Sequence, residues 1–469
     1  MGCTQHMAKK QKDIITRTAE APSVLLAQTI VASQVIRDKA IATGGKNTLL
    51  TKTKNYWHML GPGLTTGASD DDPSGIATYS QTGAQYGFQY LWLSIWTFPL
   101  MSIVQEMCAR IGLVTGRGLA GNIRVYFNKK VLYACTILLF AANAINIGAN
   151  LGAMAKAVQL LNPQLSFSLV VVAFAVGSLL LQIFTPYARY AKYLKWLALV
   201  LLSYILSSIL ADLNWGTVLQ AAVTPRLEFS KESLILLCAI LGTTISPYLF
   251  FWQTSQEVEE QILQGKTTLH ERRLATPKEE VKSMRIDVWS GMLLSNLVMF
   301  FIIAACGGVL YANGITEITS AAQAAEALRP FAGDATYFLF AIGIIGTGLL
   351  SIPVLAGASS YAFAESFRWK EGLWRKLDQA RAFYGVIIFS MLIGLGMNFL
   401  GIDPFKALIY SALLNGLVAP VILFLIVRLA SNRKIMGHWT NKKYVTWIGW
   451  ITTAVMTISG MAAIWALFS

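Results

Sequence analysis

Three consecutive acids, Asp70, Asp71 and Asp72, lie inside an apolar stretch and are followed by the residues PSG at positions 73–75. Carboxylate oxygens are ligands that hard divalent cations prefer. Proline removes a helical hydrogen bond and glycine tolerates non-helical backbone, so this stretch cannot continue as a regular helix. We predict that a helix breaks here and that one of the carboxylates faces a bound cation.

A second interruption of the same kind occurs far along the chain, where Thr243 and Thr244 precede Ser246 and Pro247 in another apolar stretch. Interrupted spans leave backbone amides and carbonyls free, which a bilayer tolerates only around a buried or water-filled cavity. Broken segments at matching places in two halves of a chain are typical of the central site of a transporter. The helix breaks at Pro73 and Pro247 therefore predict one shared site.

Asp72 has two compatible interpretations. An aspartate directly before a proline suits the N-cap and first position of a helix. A carboxylate near the middle of a membrane also costs about 2.5–3.5 kcal/mol, which favours a ligand role over capping alone. Asp70 and Asp71 are expected to line the access path, because neighbouring helical residues point about 100° apart and cannot all face one ion.

The elements that must position these residues are membrane spans. The chain has 469 residues, of which 55% are hydrophobic and only 13% charged. Apolar runs of about 20 residues recur, each long enough to cross a hydrocarbon core. Eleven spans are predicted, at residues 59–84, 87–110, 131–155, 166–184, 190–210, 232–256, 285–310, 335–364, 382–400, 405–428 and 444–467.

The net charge of +14 reflects membrane topology. With the N-terminus in the cytoplasm, 33 of the 38 Lys and Arg residues fall on the cytoplasmic side of the predicted spans. This is the distribution that the positive-inside rule expects. We therefore expect no nucleic-acid binding. The five cysteines show no paired spacing and the four histidines lie outside the spans or at an edge, so neither forms a predicted metal cluster.

The predicted organisation is a basic cytoplasmic tail, residues 1–56, followed by a transporter domain, residues 57–469. The matching breaks indicate two five-span repeats of opposite topology, at about 57–212 and 230–430, with an eleventh span at 444–467. The tail lacks the apolar core and cleavage site of a signal peptide.

The segments GPGLTTGASDDDPSGIATYSQTGAQYGFQYLWL and QEMCARIGLVTGRGLAGNIR resemble the NRAMP family of divalent-metal transporters, and the resemblance resumes at LGTTISPYLFFWQ. The resemblance implies an all-α polytopic membrane protein with the leucine-transporter-type inverted-repeat fold, whose spans 1 and 6 are unwound at the middle. It further implies that the chain is no enzyme and holds no resident cofactor, its metal ion being the transported substrate.

The ion site departs from the family pattern. The aspartate of the family motif Asp-Pro-Gly-Asn matches Asp72, but its asparagine is replaced by Gly75. In the sixth span the family motif Met-Pro-His becomes Ser246, proline and Tyr248. The alanine that donates a carbonyl in the family corresponds to Thr243. The resemblance thus implies Asp72, Thr243 and Ser246 as metal ligands, with Thr244 and Tyr248 lining the cavity.

These replacements remove a soft sulfur ligand and leave oxygen donors, which suit Mg²⁺ or Mn²⁺ better than softer transition metals. The smaller Gly75 leaves room for an ion that keeps its water. The set resembles that of the NRAMP-related magnesium transporters. The third span has Asn146 and Asn150 and no acid, so the proton relay of the family is expected to be absent.

We therefore predict a monomeric transporter of divalent cations in the lipid bilayer of the cell membrane, working by alternating access. Two alternatives stay open: a transporter of a small organic cation with the same fold, and a metal sensor that does not transport. Two further expectations concern other charged residues of the spans. Glu106 and Arg110 should pair at the cytoplasmic end of the second span, and Asp287 and Glu365 should lie at the membrane interface.

Overall fold

The computed structural model describes residues 56–57, 59–185, 187–211, 213–274, 276–318 and 321–468, and these are mostly helical. The helices of the first half are α1 (Pro62–Asp70), α2 (Pro73–Tyr86), α3 (Trp92–Thr115), α4 (Leu119–Tyr126), α5 (Lys129–Leu161), α6 (Phe167–Phe184), α7 (Tyr187–Leu197), α8 (Leu202–Ile209) and α9 (Trp215–Val223). The helices of the second half are α10 (Lys231–Thr244), α11 (Pro247–Leu263), α12 (Leu269–Arg272), α13 (Lys278–Val309), α14 (Ala321–Phe367), α15 (Arg381–Met397), α16 (Pro404–Ala430), α17 (Arg433–Met436) and α18 (Lys443–Phe468).

Every predicted span falls on helix. The span predicted at 59–84 is divided into α1 and α2, and the span at 232–256 into α10 and α11. The fifth span, 190–210, is also interrupted, by a 3₁₀ turn at Ala198–Leu201 between α7 and α8. Within the described ranges, seven helical segments are long and apolar enough to cross a membrane, and α15 is a shorter apolar helix. The chain is a multi-pass membrane protein.

Glycines let the two broken spans touch the neighbouring helices backbone to backbone. A Cβ added to Gly67 of α1 would lie 2.2 Å from the carbonyl oxygen of Gly291 in α13. A Cβ added to Gly242 of α10 would lie 2.2 Å from the carbonyl oxygen of Ala412 in α16. Small residues at such contacts are how membrane helices pack closely without a hydrophobic driving force. The broken spans therefore lie in the interior, held by α13 and α16.

The loops contain helices that hydropathy did not indicate, namely α4, α9, α12 and α17. Each is nine residues or shorter, well under the length that crosses a bilayer. Residues 1–55 of the predicted tail lie outside the described residues. The boundaries of the two predicted repeats and of the domain stay predictions.

Candidate functional site

The two helix breaks face each other at the centre of the bundle. Half-helix α1 packs against α11, and α2 packs against α10, so each half of one broken span meets a half of the other. Two tyrosines connect the breaks. The Tyr248 hydroxyl donates to the carbonyl oxygen of Ser69 at 2.8 Å, and the Tyr79 hydroxyl lies 3.4 Å from Thr244 Oγ1. The site is thus a junction of four helix ends.

One oxygen of Asp72 caps α2. Its Oδ1 accepts from the amides of Ser74 and Gly75, both at 3.0 Å, and from the Ser74 hydroxyl at 2.5 Å. Pro73 occupies the first helical position, where its missing N–H costs nothing. The N-cap interpretation of Asp72 is therefore confirmed, and a ligand role stays compatible with it.

The other oxygen of Asp72 is held by the third span. Oδ2 accepts from Asn146 Nδ2 at 2.8 Å and from Asn150 Nδ2 at 3.0 Å. Asn146 Oδ1 in turn accepts from the hydroxyl of Ser411 at 3.1 Å, and Asn150 Nδ2 also reaches Ser351 Oγ at 3.2 Å. All these side chains are buried. Donors on both carboxylate oxygens stabilise Asp72 as an anion at the break.

Gly75 and Thr243 are neighbours across the two breaks. A Cβ added to Gly75 would lie 3.1 Å from Thr243 Oγ1 and 3.2 Å from the carbonyl oxygen of Asp70. Ser246 is the N-cap residue of α11, but its hydroxyl turns back and donates to the carbonyl oxygens of Gly242 and Thr243, both at 2.7 Å. Hydroxyl and carbonyl oxygens therefore converge on this side of the junction.

Asp70 and Asp71 are fully buried and poorly satisfied. Asp70 Oδ2 accepts from the hydroxyl of Ser295 at 2.7 Å, whereas Asp70 Oδ1 and both oxygens of Asp71 have no hydrogen-bond partner. In the described part of the chain no Lys or Arg forms an ion pair with any of the three acids. A buried carboxylate without a partner is strongly unfavourable, so a bound cation, a proton or water would stabilise this cluster.

The donor atoms around the breaks are oxygens and amides. Asn150 Oδ1 is buried without a partner, as are both amide atoms of Asn415 on α16. Among the described residues, no three His, Cys, Asp or Glu side chains are arranged to hold a metal. A cation here would therefore be bound by carboxylate together with hydroxyl, carbonyl, amide and water oxygens, which is the pattern for a hard and partly hydrated ion.

Side chains of other helices form hydrogen bonds with the backbone at the start of α1. The carboxylate of Asp287, in α13, accepts from the amides of Gly61 and Gly63 at 2.7 Å and of Leu64 at 2.9 Å. Lys195 Nζ donates to the carbonyl oxygen of Leu60 at 2.5 Å. Asp287 is buried, and its carboxylate satisfies helix amides that would otherwise lack partners. Its position at the membrane interface stays a prediction.

Glu106 forms the predicted pair with Arg110, at 3.7 Å, but a residue of α13 is closer. Arg285 Nη2 lies 2.8 Å from Glu106 Oε1, and Trp289 Nε1 donates to Oε2 at 3.0 Å. The carboxylate therefore links α3 to α13 as well as bridging one turn of its own helix.

Sequence reasoning missed the hydroxyl groups that surround the acids. Ser295, Ser351 and Ser411 each stand in an apolar span, where a single serine suits close helix packing equally well. Tyr79 lies two turns after the break and was not distinguished from other aromatic residues. The usable signal was weak, because a lone small polar residue in a span is common and its partner depends on the packing.

The sequence matches a family model described as "Natural resistance-associated macrophage protein-like" over residues 63–466. The chain belongs to the Nramp family. A divalent metal cation transporter MntH of Klebsiella pneumoniae subsp. pneumoniae is 26% identical over 415 residues, covering 87% of this chain and 94% of the relative. The MntH of Deinococcus radiodurans is 25% identical over 412 residues, covering 87% and 90%.

Solved structures show the same fold as this Nramp protein. A manganese transporter of Eremococcus coleocola superposes with a TM-score of 0.69 at 18% identity, over 90% of this chain and 88% of the other. Mhp1, a nucleobase-cation-symport-1 family transporter, superposes with a TM-score of 0.52 at 16% identity, over 87% and 91%. The predicted leucine-transporter-type fold is confirmed.

Proposed function

We propose that this divalent-metal transporter of the Nramp family carries hard cations, Mg²⁺ and Mn²⁺ ahead of softer ions, without proton coupling. The ion would bind at the two helix breaks through Asp72, Thr243 and Ser246, and would cross by alternating access. The proposed transporter is a monomer in the cell membrane. Its N-terminus lies in the cytoplasm, an orientation that the basic loops favour.

The main support for hard-ion selectivity is the set of oxygen donors at the break in span 6. Ser246 stands where the family pattern has methionine, and its hydroxyl groups with the carbonyl oxygens of Gly242 and Thr243. Hydroxyl and carbonyl oxygens suit Mg²⁺ and Mn²⁺, whereas a thioether favours softer metals. Gly75, in place of asparagine, adds no side chain to this space.

The charge balance favours a cation over an organic anion. Asp70, Asp71 and Asp72 are all buried at the junction, and the described residues offer no base to pair with them. A substrate carboxylate would be repelled there, while a 2+ ion offsets charge that is costly to bury.

The absence of proton coupling is supported by the surroundings of Asp72. Both oxygens already accept from N–H and O–H donors, and the nearest side chains of the third span are the amides of Asn146 and Asn150. An amide does not carry a proton at accessible pH. The membrane potential alone supplies about 4.6 kcal/mol per 100 mV for a 2+ ion, so influx needs no coupled proton.

Flux into proteoliposomes tests the proposal. Vesicles containing the purified chain, with a metal-sensitive dye or a pH dye inside, are exposed to Mg²⁺, Mn²⁺ or Cd²⁺ under an inward-negative potential. We expect uptake of Mg²⁺ and Mn²⁺ faster than that of Cd²⁺, and no lumen acidification above that of empty vesicles. Preferred Cd²⁺ uptake would overturn the selectivity, and a metal-driven proton signal would overturn the uncoupled mechanism.

A further inference from the structure

A cavity of ≈700 Å³ lies between three loops on the side that the basic residues mark as cytoplasmic. Its walls come from the segment between α3 and α4, from the end of α11 with the loop into α12, and from the end of α14 with the loop that follows. Cavities of this volume hold small organic ligands in other proteins. It is separate from the helix breaks, none of whose residues line it.

The lining of the cavity is strongly basic. Seven Lys or Arg residues and three Glu residues line it, which is a formal charge of +4. Burial and the nearby carboxylates of Glu365 and Glu259 raise the pKa of Glu371 well above its ordinary value.

The two other acids of the lining are used to build its walls. Glu365 Oε2 accepts from the amide of Gly121 at 2.7 Å, which holds α4 against the end of α14. Glu259 Oε1 accepts from the Tyr361 hydroxyl at 2.5 Å and from the amide of Leu373 at 2.9 Å. Glu365 is buried against these elements, and its position at the membrane interface stays a prediction. One oxygen of each carboxylate therefore accepts from backbone or hydroxyl donors, while Glu259 Oε2 is buried without a partner.

Several of the cations are not occupied. Across the part of the chain that the structure describes, the side chains of Arg117, Lys129 and Arg368 form no hydrogen bond or ion pair. Arg124 is partly used, since its Nη1 donates to the carbonyl oxygen of Glu365 at 3.4 Å while its Nε is buried without a partner. The positive-inside rule explains basic loops in general, but solvated surface charges do not require guanidinium groups from separate loops to meet at one cavity. Unpaired guanidinium groups around a cavity are typical of a site for a planar or tetrahedral anion.

Arg368 gives an independent indication. Its φ of 59° makes it the one non-glycine residue with positive φ among those described, directly after the end of α14. Glycine is the usual residue at this position after a helix, because a side chain there costs of order 1 kcal/mol. An arginine at a strained position on the cavity wall indicates that its side chain has a binding role there.

We propose that this cavity binds a phosphate-bearing anion, held by Arg117, Arg124 and Arg368. A guanidinium group matches phosphate oxygens in a bidentate arrangement, which gives both charge and geometry. Two sources supply this chemistry at a cytoplasmic membrane face: the head group of an anionic lipid, and a soluble di- or triphosphate. The proposal depends on the proposed orientation of the chain but not on the identity of the transported ion.

Binding there would act on transport through α11. This helix begins at Pro247, next to Ser246 in the proposed ion site, and carries Glu259 on the cavity wall. Twelve residues of helix separate Pro247 from Glu259, which is about 18 Å at a rise of about 1.5 Å per residue. An anion held by these arginines would join α4 and the segment before it to the end of α14. Since α11 packs against both α4 and α14, this link would restrain α11 and so change the rate at which the two halves exchange access.

The test uses the full purified chain in EDTA, so that no metal occupies the ion site. ATP is titrated calorimetrically in detergent, with pyrophosphate and citrate as competitors. In parallel, native mass spectrometry measures retained phosphatidylglycerol after reconstitution into mixed phosphatidylglycerol and phosphatidylcholine. Saturable ATP binding that pyrophosphate displaces identifies a soluble ligand, and selective retention of phosphatidylglycerol identifies a lipid head group. Either result supports the proposal.

The test variant combines Arg117→Gln with Arg368→Gly, the second of which relieves the strained backbone while removing the charge. We expect at least tenfold weaker anion binding, with an unchanged melting temperature. Arg117→Gln alone, on a partly exposed side chain, serves if the double variant does not fold. The matched control, Lys442→Gln with Lys443→Gln, removes the same charge at the start of α18 and should bind normally. Equal weakening in the control, competition by citrate as strong as by pyrophosphate, or no saturable binding of either probe would overturn the proposal.

Discussion

Replacing Asp72 by asparagine separates its two roles, because asparagine caps a helix about as well as aspartate does. In the variant the retained carbonyl oxygen can still accept from the amides of Ser74 and Gly75, as Oδ1 does now. The Nδ2 group of the new asparagine cannot accept from Asn146 and Asn150 as Oδ2 does now, so Asp72→Asn is expected to cost about 1–3 kcal/mol of stability in either case. If Asp72 is not a ligand, metal binding by the folded variant is unchanged.

A ligand role predicts a large loss of affinity. A 2+ ion about 4 Å from one carboxylate charge gains about 2 kcal/mol in water-like surroundings and about 8 kcal/mol at an effective dielectric constant of about 20. Asp72 is fully buried, so the true value lies above the lower figure. The expected loss is therefore at least about 30-fold in the Kd for Mg²⁺ or Mn²⁺.

Calorimetry on the purified variant measures this change, and proteoliposome flux gives an independent readout. Asp403→Asn is the matched control, since Asp403 precedes Pro404 and caps α16 through the amide of Phe405 at 2.9 Å, far from the breaks in sequence. The control should bind metal normally. An Asp72→Asn protein that binds Mg²⁺ and Mn²⁺ within threefold of the unchanged chain would refute the ligand assignment.

Three further outcomes are expected. Ser246→Met combined with Gly75→Asn should raise the ratio of Cd²⁺ affinity to Mg²⁺ affinity about tenfold, which corresponds to about 1.4 kcal/mol. The space at Gly75 is tight, so the measurement uses monodisperse protein. An unchanged ratio on folded protein means that the wrong residues were chosen. Asp287→Ala should free the amides at the start of α1, seen as faster hydrogen exchange at residues 61–64, while Asp403→Ala leaves them unchanged. Tyr248→Phe should lower stability by about 1 kcal/mol, because the hydrogen bond from the Tyr248 hydroxyl to the carbonyl oxygen of Ser69 is lost, while Mg²⁺ uptake continues. A complete loss of uptake by folded protein would instead show that the Tyr248 hydroxyl takes part directly in transport.

The helix breaks were predictable because their causes are local. The sequence predicted a break at both prolines and the first helical position for Pro73; in the structure Pro73 and Pro247 each occupy the first position of a half-helix. The N-cap of α2 was foreseen as one of two interpretations of Asp72, since an acid directly before proline has that form. The all-α class and the family followed from apolar run lengths and from one contiguous motif. The metal ligands themselves stay predictions, because ligand binding leaves no local trace in the backbone.

The packing around the acids near the span ends was not predicted. Asp287 and Glu365 stand near the ends of predicted spans, which predicts a position at the membrane interface but says nothing of their burial. In the structure both are buried and accept from backbone amides near the start of another helix. Hydropathy places a residue along the membrane normal, but it does not say whether a neighbouring helix covers that residue.

The sequence by itself determined which segments cross the membrane, where two of them break, and which side chains offer oxygen rather than sulfur. These properties depend on residue type and on neighbours within a turn or two of helix. Only the tertiary structure decided the partners of Asp72, which are asparagines 74 and 78 residues away, and of Asp287, which binds amides 223–226 residues away. Such pairs form when close packing of the helices brings distant donors and acceptors together, and buried polar groups are stable only where those partners meet.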